Sequence, residues 1–176
     1  MAAPVHLPAS LHRAVPWKNG LGISHTIADS PRGAGFDAVD WQVSATQIGA
    51  DCPFSDLLGL DRLFTVIGGA GVELTCIDER GKASVHRIDR ARGPFAFRGD
   101  WRTACRLLDG PVQVFNVMTR RGKYAARVEF VAGLGSLRQD AGETAIAVEL
   151  PSLEAWILDG PPPAFGHGLL VRIASA

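Results

Sequence analysis

Cysteines are few in this chain, and it has no long apolar run. Cys52, Cys76 and Cys105 include no pair spaced by two residues and lie far in sequence from any histidine. An odd number cannot all pair internally, and the start of the sequence has no apolar stretch of the secretory type, so we expect free thiols in a cytoplasmic protein. No uninterrupted apolar run reaches the roughly 18 residues of a membrane span. The sequence therefore predicts a soluble protein without a membrane partner.

The chain also lacks an excess of charge of either sign. Eighteen basic and eighteen acidic side chains cancel, which removes the broad attraction that nucleic acid or an anionic membrane surface would require. The 176 residues are 47% hydrophobic and 20% charged, a composition typical of one globular domain with a sizeable core. We therefore expect a single domain over residues 1–176 and a partner that is small or neutral, not nucleic acid.

The common catalytic motifs are missing. The sequence contains no Gly-x-Ser-x-Gly elbow, no Walker sequence and no zinc-type cysteine pairing. The glycine-rich run at 68–71 lies between two strand patterns, which predicts a hairpin turn and not a phosphate loop. Five histidines are scattered without metal-ligand spacing, and His25 is the one that we consider for chemistry.

Short segments with strand-like patterning recur along the chain, with glycine or proline between nearly all of them. This spacing predicts an all-β sandwich or barrel, because no stretch carries the full apolar face of an amphipathic helix. Residues 55–60 and 152–158 could hold a helical turn or two. The predicted strands are Trp41–Ile48, Leu63–Ile67, Val72–Ile77, Val112–Met118, Arg127–Val131, Thr144–Leu150 and Leu169–Ile173.

A polar cluster precedes the first alternating segment. Trp17, Lys18 and Asn19 are followed by Gly20 and Gly22, and glycines allow the tight bend that could aim a cation and an amide at one point. The cluster is either a ligand anchor or a solvated turn in which Trp17 covers a core edge.

Two further polar side chains stand in apolar strand patterns. Alternation places Asn116 on one face with valines and Met118, where its amide needs a partner, either backbone at a β-bulge or a ligand. Arg62 begins a strand, where its guanidinium could bind a carboxylate or pair with Asp56 or Asp61.

Five segments in series resemble the HutD/Ves family, and the resemblance covers roughly residues 13–131 in the same order. They are PWKNG at 16–20, WQVSATQI at 41–48, PFSDLLGLDRLFTVIGG at 53–69, PFAFRGD at 94–100 and FNVMTRR at 115–121. The resemblance implies a cupin-like jelly roll, a double-stranded β-helix in a bicupin-type arrangement. Residues 125–176 and the N-terminal segment would then form much of a second half-barrel. It also implies a link to histidine utilisation and a role in binding or sensing N-formylglutamate.

The resemblance to cupins can be compared with their metal chemistry. The positions around Ser55 and Leu57, where cupin histidines would stand, hold none, and Gly99 is followed by Asp-Trp-Arg instead of a further histidine. Transition metals prefer imidazole or several carboxylates together. We therefore expect neither a metal nor another cofactor.

Cations and carboxamides stand where the resemblance places the ligand site, a set that suits a small dicarboxylate or an acylated amino acid. Leu21 and Val114 depart from the family pattern, so loop shape and ligand preference can differ. The expected ligand-binding residues are Trp17, Lys18, Asn19, Arg62, Asn116, Met118 and Arg120.

Three functions are compatible with these residues. The first is a metal-free barrel that binds an acidic metabolite of histidine breakdown as a sensor or regulator. The second is an isomerase, hydrolase or lyase in which His25 or Asp61 acts as acid or base. The third is a structural module whose exposed sheet pairs in a homodimer.

Overall fold

The computed structural model describes residues 3–133, 141–160, 164 and 166–176. The secondary structure in these residues is β-strands and one 3₁₀ helix, Ala9–Leu11. In chain order the strands are β1 Val5–Leu7, β2 Arg13–Pro16, β3 Ile23–Ser30, β4 Trp41–Ile48, β5 Cys52–Pro53, β6 Leu60–Gly68, β7 Val72–Ile77, β8 Ala83–Ile88, β9 Phe95–Arg98, β10 Arg102–Leu107, β11 Val112–Arg120, β12 Tyr124–Val131, β13 Thr144–Glu149, β14 Ala155–Leu158 and β15 Gly168–Ser175. The prediction of an all-β chain is confirmed. The described residues hold no helix long and apolar enough to span a lipid bilayer.

The chain divides into two compact units, and the larger one is Arg13–Arg121. It contains a six-stranded antiparallel sheet in the order β2-β3-β4-β11-β6-β9 and a four-stranded antiparallel sheet in the order β5-β10-β7-β8. Phe64 and Val66 from the first sheet join Leu74, Ile88 and Cys105 from the second in one buried cluster. This face-to-face packing is that of a jelly roll, as predicted.

The alternation of side chains explains why these segments are strands. In β7, Val72, Leu74 and Cys76 are buried while the residues between them are partly exposed. β10 repeats this pattern with Thr103 and Cys105 facing inward. A period of two buries one face of each strand and solvates the other, so both strands contribute to the core of the unit.

The smaller unit comprises Met1–His12 and Gly122–Ala176. Its described residues form one antiparallel sheet in the order β1-β14-β13-β15-β12. Ala155–Leu158 is a strand, so the helical turn considered for residues 152–158 is wrong; this segment hydrogen-bonds to β1 and β13. The single domain over 1–176 and the second half-barrel stay predictions.

The glycine-rich run at 68–71 corrects a second expectation. It joins β6 to β7, but these strands belong to different sheets, so the turn is a crossover and not a hairpin. Gly71 has φ +108°, and a Cβ there would lie 2.5 Å from the carbonyl oxygen of Ile88. A residue without a side chain is therefore required where the chain passes between the sheets.

Gly99 ties the end of β9 to the segment before β6. Its N–H donates to the Leu60 carbonyl at 2.7 Å, and its own carbonyl accepts the Leu57 N–H at 2.8 Å. A Cβ on Gly99 would meet the carbonyl oxygen of Leu57 and lie 2.9 Å from that of Leu60. The glycine is required for this close approach of two backbone segments.

We predict that Gly99→Ala lowers the free energy of unfolding by about 1–3 kcal/mol, because the added methyl group forces the two segments apart. Gly49→Ala is the matched control, since a Cβ on Gly49 meets nothing within 4 Å. Chemical denaturation of both variants measures the difference. Equal stabilities of the two variants would contradict the prediction.

Candidate functional site

A cavity lies against the inner face of the six-stranded sheet in the Arg13–Arg121 unit. It holds about 560 Å³ of free space, including its open mouth. Its polar lining is Lys18, Ser24, Gln42, Ser44, Thr46, Ser55, Arg62 and Asn116. Its apolar lining is Val15, Trp17, Phe36, Ile48, Phe54, Leu57, Phe64 and Met118.

Strand register explains why several polar groups meet in this cavity. Arg62 on β6 lies opposite Met118 on β11, and Phe64 lies opposite Asn116. Asn116 also lies opposite Ser44 on β4. Directly opposed residues of antiparallel strands share a face, so all five side chains point to the same side of the sheet.

Arg62 is a cation without a counter-ion among the residues that the structure describes. Its guanidinium carbon lies 5.0 Å from the centre of the Phe54 ring and 4.9 Å from that of Phe97, distances typical of cation–π contacts. Its Nε is buried without a hydrogen-bond partner among the described residues. Burial lowers the pKa of Arg62 to about 10, which still leaves the group charged at neutral pH.

The alternative partners of Arg62 are not used. Asp61 instead accepts from Nε of Arg121 at 2.7 Å, and Asp100 pairs with the same guanidinium. These contacts hold the pKa of Asp100 below its usual range, against the opposing effect of burial. Within the described ranges, no carboxylate forms an ion pair with Arg62, so its charge is available to a bound anion.

Asn116 provides an unused acceptor beside this cation. The residue is 5% exposed, and its Oδ1 has no hydrogen-bond partner in the part of the chain that the structure describes. The bulge in β11 lies at Gln113 and Val114, which leaves the Asn116 amide without the bulge partner considered from the sequence. A buried carbonyl oxygen without a donor costs about 1–3 kcal/mol, so the site favours a ligand that donates a hydrogen bond.

The Trp17 and Lys18 side chains form one wall and part of the mouth of the cavity. The Trp17 indole N–H donates to Oγ of Ser24 at 2.9 Å, and the Trp17 backbone N–H donates to the Gly22 carbonyl at 2.8 Å. Lys18 is exposed, lines the cavity and makes no ion pair with a described residue. The second cation of the site is therefore also available to a ligand.

Two of the expected binding residues do not line the cavity. The Asn19 amide donates to the Pro53 carbonyl at 3.0 Å and accepts the Leu21 N–H at 3.1 Å. Arg120 donates to the carbonyls of Phe36 at 2.9 Å and Val39 at 2.8 Å. The structure thus brings together Trp17, Lys18, Arg62, Asn116 and Met118, and it uses Asn19 and Arg120 to brace backbone.

The two groups considered as acid or base also lie elsewhere. His25 is exposed on β3, opposite Ala14 and Ala45, on the other face of the sheet from Ser24 and Ser44. Asp61 is held by Arg121. Neither side chain lines the cavity.

The cavity lining does not fit the metal that cupins commonly hold. It contains two cations and no histidine, cysteine, aspartate or glutamate, and the described residues include no group of three such side chains placed to bind a metal. Ser55 and Leu57, at the positions compared with cupin histidines, do line the cavity. A hydroxyl and an isobutyl group there, beside Arg62, disfavour a divalent cation.

Three lining residues, Gln42, Ser44 and Thr46, lie in the WQVSATQI segment but are absent from the binding residues expected from the sequence. All three are buried on β4, and they alternate with Val43 and Ala45. Three polar residues on one face of a buried strand indicate a polar cavity for the same reason that Asn116 does. This alternation of polar and apolar residues is visible in the sequence. It indicates a cavity only once both faces of β4 are known to be buried.

Arg120→Met is expected to lower the free energy of unfolding by about 1.5–3 kcal/mol, because the carbonyls of Phe36 and Val39 lose a charged donor in a partly buried region. Arg87→Met on β8 is the control, since Arg87 is exposed and a surface change of this kind costs less than about 0.5 kcal/mol. Urea denaturation of both variants gives the comparison. If Arg120→Met lost no more stability than Arg87→Met, the hydrogen bonds of Arg120 to Phe36 and Val39 would contribute nothing to the free energy of unfolding.

Comparisons with known proteins give a consistent result. The HutD family model matches residues 9–154. An uncharacterized 21.2 kDa protein in the hutC 3′ region of Pseudomonas putida is 31% identical over 135 residues, which cover 77% of this chain and 68% of that protein. Protein Ves of Cronobacter sakazakii is 31% identical over 113 residues, covering 64% of this chain and 58% of Ves.

The fold agrees with a solved structure over nearly the whole chain. HutD from Pseudomonas fluorescens SBW25 superposes with a TM-score of 0.76 at 28% identity, covering 99% of this chain and 100% of that one. The likeness spans both units, and it confirms the predicted all-β, cupin-like fold. On the matches of family model, relative and structure together, the chain belongs to the HutD family.

Proposed function

We propose that this chain binds a small acidic metabolite of histidine catabolism, of the N-formylglutamate type, and acts as a sensor or regulator of histidine utilisation without a metal. The observation that carries the proposal is the Arg62 guanidinium, which is charged, enclosed by two phenyl rings and without a carboxylate partner among the described residues. The name of the family and the hutC neighbourhood of the Pseudomonas putida relative support the metabolic context.

Arg62 defines the first feature of the ligand. A guanidinium removed from water is unfavourable unless an anion satisfies it, and a planar carboxylate matches its donor geometry. The rings of Phe54 and Phe97, each with its centre about 5 Å from the guanidinium carbon, restrict where an acceptor can approach. A bound carboxylate would therefore supply the anionic partner that Arg62 lacks among the described residues.

Asn116 and Lys18 define the other features. The buried Oδ1 of Asn116 requires an N–H or O–H donor, which an acylated amino acid supplies through its amide. Lys18 at the mouth can pair with a second carboxylate. An N-acylated dicarboxylic amino acid carries all three groups, whereas a simple monocarboxylate carries only the first.

The lining also favours binding over turnover. Its titratable side chains are Lys18 and Arg62, so it offers no carboxylate, imidazole or thiol as a base or nucleophile. The free space of about 560 Å³, which includes the open mouth, lies in the range of small-molecule sites. Saturable binding without product is the behaviour expected of a sensor.

Arg62→Met is expected to weaken binding of N-formylglutamate about 10- to 100-fold or more, because a charged hydrogen-bond donor to the ligand contributes about 1.5–3 kcal/mol. Isothermal titration calorimetry measures this, with glutamate, urocanate and histidine as comparison ligands and Arg87→Met as the charge-matched control. The free energy of unfolding of Arg62→Met should be at least as high as that of the wild type, since the substitution removes a desolvated charge. No binding of any of these ligands to the wild-type protein would overturn the proposal.

The pH dependence gives a separate prediction. Because burial lowers the pKa of Arg62 to about 10, the affinity for a fully ionised acid should be constant from about pH 6 to 9 and fall as pH rises through about 10, where the guanidinium loses its proton. Titrations in the Lys18→Met background separate Arg62 from the other titratable side chain of the lining. An affinity that stays constant to pH 11 in that background would contradict the assignment of Arg62.

A further inference from the structure

We infer that Asn19 is a positioning residue that holds Lys18 at the mouth of the cavity. This inference rests on the proposed function in that Lys18 meets the second carboxylate of the ligand. Asn19 does not line the cavity itself. Its hydrogen bonds tie the loop between β2 and β3, which carries Lys18, to the segment 53–55, which also contributes to the cavity lining.

The three bonds of Asn19 leave little freedom to this loop. Its backbone N–H donates to Oγ of Ser55 at 3.1 Å, its Nδ2 donates to the Pro53 carbonyl at 3.0 Å, and its Oδ1 accepts the Leu21 N–H at 3.1 Å. Two of these bonds cross between segments more than 30 residues apart in sequence. The third closes the turn locally, as Asn side chains commonly do.

Lys18 is fixed from both of its neighbours. On one side, the Trp17 indole is bonded to Ser24 and packs so closely on Gly22 that a Cβ there would lie 2.8 Å from the ring. On the other side stands Asn19 with its bonds to the 53–55 segment. The exposed Lys18 side chain retains rotamer freedom, but its Cα is held at the rim of the cavity.

The same bridge connects the two cations of the site. Asn19 bonds to Pro53 and Ser55, and the residue between them, Phe54, lies 5.0 Å from the Arg62 guanidinium. Loss of the Asn19 hydrogen bonds to Pro53 and Ser55 would therefore let the backbone of Lys18 move, while the contact of Phe54 with Arg62 would persist. This asymmetry predicts a selective effect on ligands that need both cations.

A double-mutant cycle tests whether Asn19 acts through Lys18. Asn19→Ala, Lys18→Met and the double variant are titrated with two acids. Glutarate has two carboxylates, and butyrate is glutarate without its second carboxylate. We expect Asn19→Ala to weaken glutarate binding about 3- to 10-fold in the wild-type background, to have no further effect in the Lys18→Met background, and to leave butyrate binding unchanged. An equal loss in both backgrounds, or an equal loss for both acids, would overturn the inference.

Amide hydrogen exchange gives a measurement that needs no ligand. In Asn19→Ala, exchange should accelerate at the Leu21 amide, whose acceptor is removed, and across residues 17–22, while the amides of β4 and β11 keep their protection. Unchanged exchange in the loop would overturn the positioning role. If neither acid binds the wild-type protein, the cycle is run with N-formylglutamate, whose own failure to bind overturns the proposed function. The exchange rates then still decide whether Asn19 holds the loop.

Discussion

The charge of Arg62, which no carboxylate of the described residues pairs with, is the constraint on which the rest of the site depends. A guanidinium on a strand that faces the core is unfavourable unless the surroundings accommodate it, and here the rings of Phe54 and Phe97 contact it without neutralising its charge. The Arg121 guanidinium, also at this end of the sheet, binds the carboxylates of Asp61 and Asp100. Arg62 is left as a positive charge directed at a cavity.

Much of the fold could be predicted from the sequence because alternation is strong where a strand has one solvated face. Val72–Ile77 is a strand with its predicted bounds. The strand Arg102–Leu107 is absent from the predicted strands, since its inward residues Thr103 and Cys105 are small and its outward residues are mostly charged. The β6–β7 turn shows another limit, because turn residues indicate a reversal of the chain but not which strand lies next to which.

The candidate site could be predicted in part. The sequence predicts a binding role for Asn116 because an amide among valines needs a partner, and this requirement holds wherever the strand lies. Asn19 and Arg120 have the same chemistry as the residues that line the cavity, yet nearby carbonyls take up their donors. The positions of those carbonyls in the fold, which the sequence does not give, distinguish a side chain that braces the backbone from one that is free to bind a ligand.

The ion pairs of the smaller unit have a consequence for its strand pairing. Arg127 on β12 lies directly opposite Arg172 on β15, an unfavourable pair of like charges. Glu143, just before β13, accepts from Arg127 at 3.2 Å and from Arg172 at 2.8 Å. A slip of either strand by one residue would move an arginine to the opposite face and away from this carboxylate. Glu143 therefore favours one register of β12 against β15. Only in this register does its carboxylate offset the repulsion between Arg127 and Arg172.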